Sequence, residues 1–292
     1  MPVTTDNRIR LSGGQTLGYA QYGDPGGKPV LHFHGLPSSR FELFTPATDE
    51  IATRLGARVL VIDRPGIGIS DYHPYSISAW PDLVVEFAEA LHLDRFAVMG
   101  YSSGGKYVAA CAWKIPARLT SAGIVSGNCS YDLPGARLTL SRQDKLLYTF
   151  ADKLPLLLRF LLWIIARNVR KNPASVLSLF PETSQVDKNA LVTPEIQRLL
   201  TKMVGGAFQQ GTRAAALDWQ LEARSWGFPL KDIQLPVQIW HGGQDKIVAT
   251  EQGRIMAGAL SGGQLKIFPD DGHISLMLNH YEELLGTIIS GG

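Results

Sequence analysis

One serine of this chain lies in a setting that could make its hydroxyl group a nucleophile. The apolar run 95–99 leads into the residues GYSSG at 100–104, and small residues that favour a helix follow. Between a strand and a helix, the pattern G-x-S-x-G strains the backbone of its serine, and the glycines let the two elements pass closely. Ser102 is therefore the candidate nucleophile. Ser103 does not fit, because its register would need a glycine where Tyr101 stands.

Two downstream loops carry the residues that a serine nucleophile needs. A histidine must take the proton of the hydroxyl, and a carboxylate must orient that histidine. The run 237–240 leads into a loop that ends at Asp245, and the run 265–268 leads into a loop that ends at His273. With Ser102 they stand in the order Ser, Asp, His, each at the carboxyl end of a predicted strand, where such sheets bind ligands. The sequence therefore predicts a catalytic triad.

Each of these residues also has a purely structural interpretation. Asp245 alone could cap the helix that begins near residue 250, and His273 alone could be an ordinary residue in a surface turn. Asp270 and Asp271 are rival acids, although both lie too close to His273 along the chain to orient its ring easily. The order of the three residues along the chain favours the catalytic interpretation.

The loop 34–37 is expected to supply half of an oxyanion hole. It follows the apolar run 29–33. In this arrangement one amide comes from such a loop and the other from the residue after the nucleophile. The candidates are the amides of Leu36 and Ser103, since Pro37 has no amide hydrogen.

No metal or nucleotide site is expected. His32 and His34 would lie on the same face of a strand, but no third histidine or carboxylate follows at a spacing suited to a metal. His34 is more simply explained as a brace that holds the loop by hydrogen bonding. Gly66 and Gly68 lack the third glycine of a dinucleotide-binding fingerprint and follow a proline turn. We therefore expect a protein without a cofactor.

Taken together, these motifs resemble those of the α/β-hydrolase superfamily. The matching residues span nearly the whole chain: His34-Gly35, DRPGIGIS at 63–70, the serine motif at 100–104, Gly243-Gln244-Asp245 and Asp271-Gly272-His273. The resemblance implies an α/β fold with a mostly parallel eight-stranded sheet, helices on both faces and an inserted helical cap. It also implies that the turn 63–70, stiffened by Asp63, shapes the floor of the site without chemistry.

Lys106 is a departure from that resemblance. Many relatives have an apolar residue in the first turn of the helix after the nucleophile, where a cation opposes the helix dipole. We expect the Lys106 side chain to be exposed and of little consequence.

Strand and helix patterns alternate along most of the chain. Residues 8–23 alternate about a glycine turn and predict an edge hairpin, and apolar runs near residues 30, 59, 96, 121, 237 and 265 predict further strands. Helical patterns at 41–55 and 77–91 lie between strands, as in a sheet covered on both faces. Between residues 128 and 228 the pattern is helical. We therefore expect a hydrolase body, residues 1–127 and 229–292, and a helical cap, residues 128–228.

The most apolar part of the predicted cap is the segment 154–165. It is shorter than the about 20 apolar residues of a membrane span, and Arg159 interrupts it. A helix that is apolar all round is usually buried, so we expect it to lie between cap and body. Two functional interpretations stay open: a wall of the acyl pocket, or a surface that meets lipid or another subunit, as in a homodimer.

Composition and charge bear on partners and location. The formal net charge of the 292 residues is +2, and no basic run could follow a phosphate backbone, so nucleic acid is not an expected partner. Residues 130–230 carry 13 Lys and Arg against 8 Asp and Glu, which predicts a solvated basic cap beside an acidic body. The polar first residues show no signal sequence, and the lone cysteines Cys111 and Cys129 indicate a reducing compartment. We expect a cytoplasmic protein.

The reaction that this sequence predicts is the hydrolysis of small or medium apolar carboxylic esters through an acyl-enzyme on Ser102. A serine at this position disfavours the relatives that use an aspartate nucleophile. Other reactions of the same triad are an alternative: a lactonase, a carbon–carbon bond hydrolase or a perhydrolase. A further alternative is a ligand-binding member of the fold without turnover, since a fold alone does not define a function.

Overall fold

The computed structural model describes residues 3–42, 45–180 and 183–291. Its centre is one eight-stranded sheet in the order β1-β2-β4-β3-β5-β6-β7-β8. β1 and β2 form an antiparallel hairpin, β2 pairs antiparallel with β4, and β3 to β8 pair in parallel. The strands are Thr4–Arg10, Thr16–Gly23, Lys28–Phe33, Ala57–Ile62, Phe96–Tyr101, Leu119–Val125, Val237–Gly242 and Gly263–Phe268. This topology confirms the predicted fold class, including the edge hairpin.

The central strands are apolar along nearly their whole length because both faces of the sheet are covered. Along β4, Val59 and Val61 belong to one core cluster, whereas Leu60 and Ile62 belong to the other. Alternate residues of a strand point to opposite faces, so the two clusters mark the two faces. All six residues of β5 are buried, which fixes the end of this strand, and with it the start of the next turn, firmly in the core.

Ten α-helices are described, and those of the body cover the two faces. α1 and α10 contribute to one core cluster, and α2, α3 and α9 contribute to the other. The helices α4 to α8 all lie between β6 and β7, and we use the name cap for residues 128–228 and the name body for the rest. The bounds are Pro46–Arg54, Trp80–Ala90, Gly105–Lys114, Arg142–Lys153, Pro155–Lys171, Gln185–Leu191, Pro194–Ala207, Arg213–Ala223, Thr250–Ala259 and His273–Ser290.

The helix predicted for residues 41–55 is shorter in the structure. α1 begins at Pro46, where Thr45 accepts a hydrogen bond from the amide of Thr48, so Phe41 lies before the helix. Proline is favourable in the first turn of a helix because its missing amide hydrogen has no partner there. Residues 43 and 44 of the predicted helix lie outside the described residues.

The expectation that the segment 154–165 is buried all round is wrong. In α5, Leu158 and Leu162 are buried, whereas Leu156, Phe160 and Trp163 are 76%, 56% and 50% exposed. The helix therefore has a buried face and an exposed apolar face. No helix in the described ranges is long and apolar enough to span a bilayer.

Candidate active site

Ser102 stands at the turn between β5 and α3, and its backbone is strained. Its φ is 54°, a left-handed value that is uncommon for a residue with a side chain. The turn is also crowded: a Cβ on Gly104 would lie 1.9 Å from the carbonyl oxygen of Phe33, and one on Gly100 would lie 2.6 Å from that of Gly104. The glycines of the motif are therefore required by close backbone contacts, as the sequence predicts.

His273 and Asp245 form a buried pair at the same edge of the sheet. The Nδ1 atom of His273 lies 2.7 Å from the Oδ2 atom of Asp245. The other carboxylate oxygen, Oδ1, accepts hydrogen bonds from the amides of Ile247 at 2.9 Å and Val248 at 2.8 Å. Both carboxylate oxygens are thus occupied, which fixes the orientation of Asp245 behind the imidazole. Asp245 orders the turn before α9, but the residue that caps this helix is Ala249, without a side-chain hydrogen bond, so the interpretation of Asp245 as the helix cap is wrong.

His241 is a second histidine beside this carboxylate. Its Nε2 atom lies 2.9 Å from the carbonyl oxygen of Val248 and 3.4 Å from the Oδ2 atom of Asp245. Both histidine rings thus approach the same carboxylate oxygen of Asp245. This contact could not be predicted from the sequence, because a histidine in a strand and an acid in the loop after it can take many relative orientations.

The charges of the pair favour an ionised acid beside a basic imidazole. Burial acts to lower the pKa of His273, but the carboxylates around it, Asp245 first and then Asp187 and Glu42, together raise that pKa above its ordinary value. Burial acts to raise the pKa of Asp245, but the charges and hydrogen bonds of His273 and His241 hold it well below its usual range. A carboxylate of this kind can stabilise an imidazolium formed during a reaction.

The rival acids have other environments. Asp271 accepts hydrogen bonds from the side chain of Asn279 at 2.8 Å and lies 2.8 Å from the Nε2 atom of His280. Asp270 is exposed. Neither carboxylate is bonded to the His273 ring in the described residues, which leaves Asp245 as the acid that contacts it.

The loop after β3 lies directly against the serine. A Cβ on Gly35 would lie 3.2 Å from the Cβ of Ser102, a contact tighter than usual, so a larger residue here would press on the serine. The amide of Gly35 donates to Glu42 at 2.6 Å, and the Nδ1 atom of His34 lies 3.0 Å from the carbonyl oxygen of Gly35. Burial, and then the nearby Arg64 charge, lower the pKa of His34 well below its ordinary value. His34 is therefore a neutral brace of the loop, as expected from the sequence.

Two adjoining cavities open on Ser102. The larger, about 140 Å³, is lined by both candidate oxyanion residues, Leu36 and Ser103, and by cap side chains. The smaller, about 50 Å³, is lined by Ser102 and His273 together. Ser102 and Leu36 line both cavities, so the two spaces adjoin at the serine. The structure thus brings the five predicted site residues to one place.

The cap supplies a carboxylate that the sequence analysis missed. Asp187 of α6 is fully buried and accepts hydrogen bonds from the amides of His273, Ile274 and Ser275 at 2.9, 3.0 and 2.9 Å, and from the hydroxyl of Ser275 at 2.9 Å. These amides are the free N–H groups at the start of α10, where a negative charge is favourable. Asp187 therefore holds the backbone of the candidate base.

Arg64, within the predicted floor turn, is a second residue that the sequence analysis missed. It is buried and donates hydrogen bonds to the carbonyl oxygens of His34 and of Gly35, the latter at 2.8 Å. Its guanidinium also forms a bidentate pair with Asp218 of α8, through contacts of 2.7 to 3.2 Å. A cap carboxylate thus orders the oxyanion loop through one arginine. Asp63 accepts from the amide of Ile69 within its own turn at 3.1 Å, and also from the amide of Arg40 at 2.7 Å and the guanidinium of Arg40 at 2.8 Å.

The expectation that Lys106 is exposed is wrong. Its side chain is 1% exposed, and its ammonium group donates to Glu222 of α8 and, at 2.5 Å, to the hydroxyl of Ser103. Burial lowers the pKa of Lys106, and the Glu222 carboxylate acts in the opposite direction. The helix dipole argument failed because α8 of the cap covers this position and brings a partner charge.

The contacts also correct the expected charge pattern of the cap. The buried charges that the cap presents to the body are acidic: Asp187, Asp218 and Glu222. The net positive charge of residues 130–230 lies in side chains elsewhere on the cap. A segment's net charge says nothing about which of its few buried charges face a neighbour.

No group of three or more potential metal ligands was found in the described ranges.

The sequence and the fold of the chain match a known family. The chain belongs to the alpha/beta hydrolase family, whose model matches residues 30–287. The class of protein that the fold and family define is a hydrolase.

The names of individual relatives describe several hydrolase activities. The chain is 25% identical over 223 residues, 74% of each chain, to RutD of Caulobacter sp. (strain K31), a proposed carbamate hydrolase. The fold is similar to that of a hydrolase from Pseudomonas aeruginosa PA01 (TM-score 0.70, 17% identity, 98% of each chain). It is also similar to that of an enol-lactonase from Burkholderia xenovorans LB400, with a TM-score of 0.67 and 16% identity over 97% of this chain and 100% of the other. A thermophilic esterase from Thermogutta terrifontis has a TM-score of 0.67 and 21% identity over 97% of each chain.

Proposed function

We propose that the protein is a serine hydrolase that cleaves carboxylic esters of small or medium apolar acids without a cofactor. The observation that carries the proposal is the His273–Asp245 contact of 2.7 Å beside a strained Ser102 that lines the same cavity as His273. A strained, presented serine with a carboxylate-oriented histidine is the arrangement that acyl transfer needs.

The reaction proceeds in two acyl-transfer steps. The Oγ atom of Ser102 attacks the ester carbonyl while the Nε2 atom of His273 takes its proton, and the amides of Leu36 and Ser103 hold the oxyanion. The imidazolium, stabilised by Asp245, then gives its proton to the leaving alcohol. A water molecule, deprotonated by His273, attacks the acyl-enzyme and releases the acid. Ser103 lies just before α3, so the positive end of that helix dipole also favours the oxyanion.

The cavities support a substrate of modest size with apolar ends. The larger cavity is lined by apolar side chains that include Leu147, Leu162, Ile165 and Phe208, and the smaller by Leu200 and Met203. Together they are small beside the roughly 300–1,000 Å³ of pockets for drug-sized ligands. A short acyl or alkyl chain on each side of the scissile carbonyl fits this space.

Esters, lactones and carbamates all present a carbonyl that the same triad can attack, so the test compares them. Purified protein is assayed with p-nitrophenyl esters from acetate to decanoate, with γ-butyrolactone, with a p-nitrophenyl carbamate and with a carbon–carbon bond substrate. We expect the largest kcat/KM for esters of about four to six carbons. Turnover of the lactone or the carbamate alone would replace the ester proposal, and binding without turnover of any member would indicate a receptor.

A further inference from the structure

Two polar atoms beside the larger cavity lack hydrogen-bond partners. Both belong to α8 of the cap: the Oε1 atom of Glu222 and the Nε1 atom of Trp219. Several buried side-chain atoms of the described residues lack a partner, and the residues that line this cavity contribute these two. Glu222 is 2% exposed as a whole.

Such a pair is unusual because a buried polar group normally has a partner. Leaving a buried donor or acceptor unsatisfied is unfavourable, and unsatisfied groups in native proteins commonly mark a functional requirement. The carboxylate oxygen can only accept a hydrogen bond, and the indole N–H can only donate one. A hydroxyl group, which donates one hydrogen bond and accepts others, could be a partner for both atoms.

The position of this site relative to the nucleophile is fixed by the other oxygen of Glu222. That oxygen, Oε2, accepts hydrogen bonds from the hydroxyl of Ser103 and from the ammonium group of Lys106. Because Ser103 follows Ser102 directly, the Glu222 carboxylate lies close to the nucleophile and so to the scissile carbonyl of a bound ester. Trp219 and Glu222 are three residues apart on one helix, so their side chains share a face.

The charge of the site is already balanced. The Glu222 carboxylate is paired with Lys106, and the nearby Arg64 guanidinium is paired with Asp218. A cationic substrate group would add a positive charge to this cluster, and an anionic group would meet the Glu222 carboxylate. A neutral group that donates one hydrogen bond and accepts another completes the site.

From these contacts we propose that Trp219 and Glu222 form a subsite for a hydroxyl group on the substrate, close to the scissile ester. The hydroxyl donates to the Oε1 atom of Glu222 and accepts from the Nε1 atom of Trp219. The inference rests on the proposed ester hydrolysis and narrows its substrates to hydroxy esters. The apolar lining of the rest of the cavity holds the chain that carries the hydroxyl.

The test uses ester pairs in which a methyl group replaces the hydroxyl. On the acyl side, p-nitrophenyl 3-hydroxybutanoate is compared with p-nitrophenyl 3-methylbutanoate. On the alcohol side, 2-hydroxyethyl butanoate is compared with propyl butanoate. Each kcat/KM is divided by the rate constant for hydroxide-catalysed hydrolysis, since a hydroxyl group also activates an ester electronically. We expect one of the two pairs to favour the hydroxyl ester by about 10- to 100-fold, as for a hydrogen bond to a charged group.

Trp219→Phe removes the N–H group and keeps an aromatic ring, so it should lower that preference by about 3- to 10-fold. Trp226→Phe is the matched control, because Trp226 is also buried with an unpartnered Nε1 atom but does not line the cavities beside Ser102. It should leave the preference unchanged. Glu222→Gln replaces an acceptor by a group that can donate, and should abolish the preference.

The outcomes separate the subsite from the proposed function. Hydrolysis of both members of each pair at equal normalised rates would overturn the subsite and leave the ester hydrolase intact. If no ester is hydrolysed, calorimetry with Ser102→Ala still measures binding of ethyl 3-hydroxybutanoate against ethyl butanoate. Preferential binding of the hydroxy ester, lost with Trp219→Phe added, would support the subsite, and equal binding would overturn it.

Discussion

The body supplies every reactive group of the candidate site, whereas the cap supplies buried carboxylates that hold those groups in place. Ser102, Asp245 and His273 follow the carboxyl ends of three strands of the body, β5, β7 and β8. All three buried carboxylates in the described part of the cap, Asp187, Asp218 and Glu222, bind groups of the body next to the triad and the oxyanion loop. The cap of this protein is therefore part of the scaffold of its site as well as a cover.

Each cap carboxylate acts on a different part of that site. Asp187 holds the backbone of His273, Asp218 acts on the oxyanion loop through Arg64, and Glu222 contacts Ser103 and Lys106. A buried charge that loses its partner costs about 3–5 kcal/mol, so the cap cannot move away from the body without a large penalty at three places. The cap and body therefore form a single packed unit in this conformation.

The largest effect should come from the body's nucleophile. Ser102→Ala should lower kcat on the order of 10⁶-fold, since only the oxyanion hole and binding remain. Ser103→Ala, which keeps the main-chain amide, is the matched control and should lower kcat far less. Both are measured with p-nitrophenyl butanoate. Normal turnover by Ser102→Ala would assign the nucleophile to another residue.

The next largest effect should come from the body's acid. Asp245→Asn should lower kcat about 10⁴-fold, because the imidazole loses the carboxylate that fixes its tautomer and stabilises its charge. Asp271→Asn is the control and should change kcat little, since Asp271 contacts His280 instead. A larger loss for Asp271→Asn would reassign the acid.

The pH profile gives a second measurement of the same pair. His273 must be neutral to act as the base, and its pKa is raised, so kcat/KM of the wild type should fall below a midpoint that lies above pH 6.5. Removing the Asp245 charge removes the main cause of that increase. The acid limb of the residual Asp245→Asn activity should therefore move to lower pH, and an unmoved limb would contradict this origin of the shift.

A smaller effect should come from the cap's contact with the base. Asp187→Asn removes a charge from the start of α10 and weakens the hydrogen bonds that place His273. We expect kcat to fall by about 10- to 100-fold, as for a displacement of a catalytic group, and the acid limb to move slightly to lower pH because Asp187 also raises the His273 pKa.

Asp152→Asn, at an exposed carboxylate of the same cap, is the control for Asp187→Asn. It should change neither kcat nor the pH profile. If Asp187→Asn lowers only the thermal midpoint, with kcat and the pH limb unchanged, the cap carboxylate has no role in positioning the base.

The smallest effects should come from α5 of the cap. Leu162 lines the larger cavity, so Leu162→Ala should favour longer acyl chains by about 0.8 kcal/mol, or about fourfold, per added methylene. Trp163 is the neighbouring control. It is half exposed and does not line either cavity beside Ser102, so Trp163→Ala should change neither the acyl-length profile nor, beyond about 1 kcal/mol, the stability. The reverse result would place Trp163 in the pocket wall.

Much of the fold and of the triad could be read from the sequence because both depend on local patterns. Apolar runs such as β5 predict buried strands, and the glycines at 100 and 104 reflect close contacts within one strand, turn and helix. His273 and Asp245 could be proposed together because parallel strands bring their carboxyl ends to one edge. Their contact distance and the partners of Asp271 required the three-dimensional arrangement.

The burial and the partner of Lys106 could not be predicted from the sequence. A cation in the first turn of a helix is unfavourable when only that helix is considered, and we therefore expected the Lys106 side chain to be exposed to solvent. Its partner, Glu222, lies 116 residues away on the cap, and Arg64 and Asp218 are 154 residues apart. Nothing in the spacing along the chain relates such residues.

By itself, then, the sequence determined the order of the strands along the chain and the candidates for nucleophile, base and acid. These follow from side-chain sterics, apolar periodicity and glycine placement, which act within a few residues. Only the tertiary structure decided which face of α5 is exposed, which acid contacts His273, and which charges are paired between cap and body. Burial and pairing of charges are properties of the assembled chain, because a charge is buried only when segments distant along the sequence pack around it.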